Sequence, residues 1–93
     1  MELKRSGNLI EVNGVIKTIS DSQELIGAIK EASANGSVVL KINDSFSLPS
    51  TVIGELLKVK DSGVNVTVEV KDDILYDLLD DLNLKTAFNV RKI

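Results

Sequence analysis

Two adjacent hydroxyl side chains, Ser50 and Thr51, are the residues of this 93-residue chain whose position most suggests chemistry. They directly follow Pro49, and a helical apolar pattern begins after them. The first turn of a helix presents unpaired backbone N–H groups and a partial positive charge. A hydroxyl at such a place either caps the helix or carries a phosphate group that the helix end would stabilise. The residues alone leave both interpretations open.

The composition argues against most kinds of catalytic or cofactor site. The chain has no Cys and no His, which removes disulfides, thiolate ligands, imidazole bases and the usual zinc ligands. There is no glycine-rich nucleotide motif and no pair of carboxylates at a useful spacing. Asp44, at the end of a predicted strand, could act as a base or a metal ligand, but a lone carboxylate there is more often a turn residue. We therefore expect a protein that is not an enzyme and uses no cofactor or metal.

Charge and hydropathy narrow the partners and the location. The formal net charge is −3, and no cluster of basic residues interleaves with aromatic ones, so a nucleic-acid partner is not expected. No apolar run approaches the roughly 20 residues that a membrane-spanning helix needs, and the first residues do not resemble a signal peptide. We expect a cytoplasmic protein with one domain over residues 1–93, without direct insertion into a membrane.

From residue 20 onward the pattern alternates between helix and strand. A capping-box pattern over Ser20–Gln23 predicts the start of the first helix, and Asn35-Gly36 predicts its end. Pro49 or Ser50 begins the second helix, and Asp72 and Asp73 begin the third. Strands are predicted over Ser37–Ile42, Val64–Val70 and Phe88–Ile93.

The first 16 residues are predicted to be extended. Met1–Arg5 is a candidate edge strand, and Asn8–Ile16 contains enough apolar residues for a second one. Asn13-Gly14 inside that stretch is the signature of a hairpin turn or of a bulge. We favour one bent strand.

Helix–strand alternation predicts right-handed crossovers and a parallel sheet. The predicted strands carry apolar residues on one face, whereas Lys41, Asn65, Thr67, Glu69, Asn89 and Arg91 fall on the other. We therefore predict a small α/β domain with a mixed, mostly parallel sheet and with helices mainly on one face. The polar face leaves room for a homodimer.

The third helix combines two patterns. It is predicted to bury a broad apolar stripe that consists of Ile74, Leu75, Leu78, Leu79 and Leu82. Asp77, Asp80 and Asp81 make either a solvated face or a docking patch for a basic partner.

In this order of elements the chain resembles STAS domains, the fold of the bacterial anti-sigma factor antagonists. The resemblance extends from about residue 8 to residue 90 and is most specific at Pro49-Ser50-Thr51-Val52-Ile53-Gly54, where the family has Asp-Ser-Ser-Gly-Leu-Gly. Weaker matches are the Gly of Val12-Asn13-Gly14 and the ending from Leu78-Leu79 to Phe88-Asn89-Val90. Pro49 replaces the family's acidic residue, and Val52 replaces its first Gly.

The resemblance implies a phosphoprotein of signal transduction that acts by protein–protein interaction. Ser50 falls on the family's phosphorylation site and Thr51 on its second hydroxyl. The expected partner is a kinase-type anti-sigma factor, bound through the Ser50 loop and the second helix. The partner-binding residues would be Asp44, Pro49, Ser50, Thr51, Val52 and Glu55. The alternative is a constitutive scaffold subunit of a transporter ATPase complex, without phosphorylation, which the departures at Pro49 and Val52 favour.

Overall fold

A five-stranded sheet with three α-helices against one face makes up this chain, and the computed structural model describes all residues, 1–93. The strands are β1 (Glu2–Ser6), β2 (Leu9–Asn13), β3 (Ser37–Ile42), β4 (Asn65–Val70) and β5 (Arg91–Lys92). The helices are α1 (Ile19–Ala32), α2 (Ser50–Asp61) and α3 (Asp73–Asp81), with a short 3₁₀ turn over Ser33–Asn35 after α1. No helix has the length and apolar character that crossing a bilayer requires.

The order of the strands explains why the helices share one face. The strands lie side by side in sequence order; β1 and β2 are antiparallel, and all later neighbours are parallel. Each helical crossover therefore moves one strand in the same direction. Because such crossovers are right-handed, all three helices fall on the same side of the sheet. The predicted fold class, a mostly parallel α/β domain with helices on one face, is confirmed.

The core lies between that face and the helices. Alternate residues of the three central strands are almost completely buried: Ile10, Val12, Val38, Leu40, Ile42, Val66, Val68 and Val70. The helices cover them with Leu25, Ile29, Ala32, Val52, Leu56, Val59, Leu75 and Leu79. Two-residue alternation in the strands and helical spacing in the helices are both needed to make this single layer of apolar contacts.

The opposite face of the sheet carries a row of alternating charges. One residue from each strand lies in register across the sheet, in the order Lys4, Glu11, Lys41, Glu69 and Arg91. Lys41 and Glu11 form an ion pair at 3.8 Å, and opposite charges on neighbouring strands favour this register.

The first helix begins earlier than predicted. Thr18, not Ser20, is the N-cap of α1, because its side chain accepts from the backbone N–H of Asp21 while the Asp21 carboxylate accepts from that of Thr18. This reciprocal pair satisfies two of the free amides of the first turn. The end at Gly36 is confirmed, with a left-handed φ of 90°.

The predictions for the second and the last strand were both too long. β2 ends at Asn13, and Gly14 turns the chain with φ +84°. The hairpin lies earlier, at Gly7-Asn8 between β1 and β2. At the other end, Phe88 lies fully buried in a turn and Asn89 has φ +47°, so that only Arg91–Lys92 pairs as β5.

The apolar stripe of α3 is only partly buried. Leu75 and Leu79 are fully buried, but Ile74 is 67% exposed, Leu82 49% and Leu78 37%. The prediction that the whole stripe faces the core is therefore wrong for these three residues.

Candidate protein-interaction site at the carboxyl edge of the sheet

The predicted site lies where the parallel strands β2, β3 and β4 end. Three loops meet this edge: residues 14–18 lead into α1, residues 43–49 into α2 and residues 71–72 into α3. This edge also carries the first turn of each helix. The sequence-predicted residues Asp44, Pro49, Ser50 and Thr51 all lie here.

Side-chain hydrogen bonds tie the first two loops together. The backbone N–H of Gly14 donates to Oδ2 of Asp44 at 2.7 Å. The hydroxyl of Ser45, which is fully buried, accepts from the backbone N–H of Ile16 at 3.3 Å and donates to the carbonyl of Ser47 at 2.8 Å. Asp44 therefore holds the loops in place, as a turn residue does. The loop that leads to Ser50 is anchored at its base.

Asn43 extends this anchoring to the sheet. Its side-chain amide donates to Oε2 of Glu11 at 3.0 Å and to Oδ1 of Asn13 at 2.8 Å. Its backbone N–H continues the ladder by donating to the carbonyl of Val12 at 3.0 Å. Both the side chain and the backbone of Asn43 therefore hold the start of the loop before α2 against β2.

The first turn of α2 has no side-chain cap. Pro49 occupies the N-cap position with φ −58° and makes no capping bond, and its carbonyl accepts from the amides of Val52 and Ile53. Ser50 and Thr51 are both exposed, and neither hydroxyl serves as a cap. The capping interpretation of the two hydroxyls is therefore wrong. Two solvent-facing hydroxyls stand at the positive end of a 12-residue helix.

The other expected contact residues differ in accessibility. Val52 is fully buried in the core, so the expectation that it touches a partner is corrected: its side chain anchors the helix start instead. Glu55 is half-buried on α2, and Pro49 is half-buried at the helix start. Asp44 is exposed and keeps one carboxylate oxygen free of the bond to Gly14.

Two exposed apolar side chains lie at the same edge and were not predicted. Phe46 is 52% exposed in the loop before α2, between Ser45 and Leu48, which are 0% and 5% exposed. Ile19, the first residue of α1, is 80% exposed. The sequence could have indicated the exposure of Phe46, because this phenylalanine stands between two serines in a polar loop. We call Ile19, Phe46, Ser50 and Thr51 the carboxyl-edge surface.

The loop into α1 owes its shape to a carboxylate. Backbone N–H groups of Lys17 and Thr18 donate to Oδ2 of Asp21 at 2.9 and 3.2 Å. These bonds favour the charged form and hold the pKa of the Asp21 carboxyl below its usual value. The charge of Asp21 thus helps to fix Ile19 at the edge of the sheet.

The site presents hydroxyls and apolar groups, which suit recognition and modification. The structure brings together no group of three or more acidic side chains that could hold a metal ion. Comparison with protein-family models, with curated proteins and with solved structures finds no match to this chain.

Proposed function

We propose that this protein is a non-enzymatic, STAS-like regulatory module that binds a partner protein through the carboxyl-edge surface and is switched by phosphorylation of Ser50. The observation that carries the proposal concerns Ser50, the first residue of α2: its side chain is exposed, and its hydroxyl does not cap the helix. A hydroxyl needed for folding would be engaged in the cap. This one is free for a kinase.

The neighbouring groups supply a binding surface. Phe46 and Ile19 expose apolar area that the fold itself does not use. Anchored aromatic side chains on a rigid loop lose little conformational freedom on binding and are frequent at the centres of interfaces. The hydrogen bonds of Asp44 and Ser45 hold the Phe46 loop ready for such a contact.

Phosphorylation would act on the interface more than on the fold. A phosphate adds about −1.5 to −2 charges at pH 7. The positive end of α2 tolerates that charge, whereas an apolar partner surface packed against Phe46 would have to desolvate it. The expected partner is a kinase-type anti-sigma factor, bound only when Ser50 is unmodified.

A photo-crosslinking experiment tests the binding surface. Phe46 is replaced by benzoylphenylalanine in the host that encodes the chain, and crosslinked proteins are identified by mass spectrometry. The same replacement at Lys4, on the open face of the sheet, is the control. The proposal expects a partner captured from position 46 and not from position 4. Equal capture from both positions would refute the site.

The switch is tested with the captured partner. Calorimetric titration compares the wild type with Ser50→Ala and Ser50→Asp, and phosphopeptide mapping of residues 48–58 compares protein purified from several growth conditions. We expect the Asp variant to lose affinity and the Ala variant to keep it, with a phosphate on Ser50. If both variants bind like the wild type and no phosphate is found, the switch is excluded.

Two observations favour the alternative of a constitutive scaffold in a transporter ATPase complex. Val52 is fully buried at the position where STAS domains have Gly, and Pro49, the residue before the hydroxyl pair, has its φ fixed by its ring. Both features stiffen the segment that a kinase would have to bend into its active site. Capture of an ATPase subunit from position 46, with Ser50 unmodified in every condition, is the outcome expected of this alternative.

A further inference from the structure

A second apolar surface lies on α3, apart from the carboxyl-edge surface. Ile74, Leu78 and Leu82 are spaced by four residues, so they form one stripe along the helix. All three are more than a third exposed. Contiguous exposed apolar groups of this kind mark interaction sites.

Contacts within the chain show which way the stripe faces. Asp73 forms an ion pair with Lys92 of β5 at 3.1 Å and so marks the β5 side of α3. At about 100° per residue, Leu78 lies roughly 140° around the helix from Asp73. Around the side of α3 that faces the sheet, the buried Leu75 and Leu79 lie between the stripe and Asp73. The stripe therefore faces away from β5, towards α2.

The facing wall belongs to α2. Lys60 lines an open cleft of about 360 Å³ together with Thr86 and Ala87, which follow α3, so this side of α2 is turned towards α3. Helical spacing puts Ile53 and Leu57 on the same side as Lys60. Ile53 is half-buried and Leu57 is 36% exposed. α2 packs mainly on α1 and β4, and α3 on β4 and β5, so the facing sides of the two helices contact each other little.

We define the α2–α3 groove by the five apolar residues on its two walls: Ile53, Leu57, Ile74, Leu78 and Leu82. Its rims carry three acidic residues, with Lys60 as the one basic residue on the α2 wall. Asp61 follows Leu57 by four residues on α2, and Asp77 and Asp81 lie beside the stripe on α3; all three are exposed. None of them takes part in the ion pairs of the structure. The rims are thus free to attract positive charge.

We propose that the α2–α3 groove binds an amphipathic helix of a partner protein, with large aliphatic side chains on one face and Lys or Arg on both flanks. Apolar anchors spaced by three and four residues fit such a groove, and basic flanks match its acidic rims. A second copy of this chain is a poor occupant, because its own acidic rims would meet these. The proposal does not depend on Ser50, and it assigns a second contact surface beyond the proposed function.

The test uses two synthetic peptides of identical composition. One is a helical peptide with leucines at positions i, i+4, i+7 and i+11 and lysines on both flanks; the other has the same residues in scrambled order. Each is titrated into ¹⁵N-labelled full-length protein and followed by NMR. We expect saturable shifts confined to α2 and α3 for the first peptide and none for the scrambled one.

Variants separate the apolar from the charged contribution. Leu78→Ala should weaken binding at least about tenfold. Asp77→Asn with Asp81→Asn should weaken it by about threefold and remove most of its salt dependence. Two matched controls should leave affinity unchanged: Asp80→Asn, on the β5 side of the same helix, and Ile19→Ala, an exposed apolar residue at the other site.

Any one of four peptide-binding results would overturn the proposal: no saturable binding, equal binding of the scrambled peptide, shifts centred on Phe46 and Ile19, or affinity insensitive to Leu78→Ala. A dimer in sedimentation analysis that is lost on Leu78→Glu would also overturn it, because the groove would then belong to a second copy. Retention of peptide binding by Ser50→Asp distinguishes this site from the carboxyl-edge surface.

Discussion

Truncation of Val52 tests whether the start of α2 is anchored by the core. Val52→Ala removes two fully buried methyl groups. Each buried carbon is worth about 0.8 kcal/mol, and the remaining cavity adds to the loss. A small gain in helix propensity offsets part of it. The expected decrease in the free energy of unfolding is about 2 kcal/mol for Ala and about 4 kcal/mol for Gly, which also loses Cβ and adds backbone entropy.

Those losses are large for a domain of this size. A chain of 93 residues has a stability of roughly 5–14 kcal/mol. The melting temperature should fall by about 8–16 °C for Val52→Ala and by more than about 16 °C for Val52→Gly. Circular dichroism with heat and with urea measures both.

Gly54 supplies a matched control on the same helix. A Cβ at Gly54 would meet no atom within 4 Å, and its φ is not in the left-handed region. Gly54→Ala should therefore raise the free energy of unfolding by about 0.5–1 kcal/mol. If both Val52 variants unfold within about 0.5 kcal/mol of the wild type, the anchoring role of Val52 is refuted. The same result would exclude that Val52 stiffens the Ser50 segment.

Three further changes test the local electrostatics and caps. Ser50→Asp should raise the free energy of unfolding by about 0.3–1 kcal/mol, because it places a negative charge at the positive end of α2, and chemical denaturation checks this; a loss of stability would show that the helix start does not tolerate the charge. Asp72→Ala should cost about 0.5–2 kcal/mol, because the Asp72 carboxylate caps α3 by accepting from the amides of Ile74 and Leu75 at 2.8 and 3.1 Å; an unchanged urea midpoint would contradict that role. The pKa of Asp21 is lowered in the folded state from its ordinary value of 3.8. Its stabilising contribution is therefore complete above that value and is lost as the pH falls through the lower folded pKa. Melting temperatures measured from about pH 6 to pH 2 should depend less steeply on pH for Asp21→Asn than for the wild type, and parallel curves would exclude the linkage.

Most of the fold could be predicted from the sequence because its signals are local. β3, the strictly alternating strand β4 to within one residue, and the starts of α2 and α3 agree with the structure, since apolar alternation, a proline and an aspartate pair act within a few residues. The placement of the helices mainly on one face also followed, because the predicted strands carry apolar residues on one face and polar residues on the other. The placement of Ser50 and Thr51 at the start of α2 came from the same local patterns.

Competing local signals caused the errors at the ends of elements. Thr18 and Ser20 both begin a plausible capping box, and Ile19 between them gives no hint of its exposure. The stretch from Phe88 to Ile93 has strand composition, but the turn at Asn89 leaves only two residues to pair. Local patterns cannot decide between two boundaries of a helix or strand that lie only a few residues apart.

Only the tertiary structure decided which side chains are free. The freedom of the Ser50 and Thr51 hydroxyls depends on Pro49 taking the cap position, and the exposure of Phe46 depends on the bonds that Asp44 and Ser45 make to a loop 30 residues away. The stripe of α3 reads as core in the sequence, yet its outer half is uncovered because α2 packs mainly against α1 rather than α3. Hydrophobic periodicity indicates which residues can be buried, whereas the packing of the helices against one another determines which of these residues are buried.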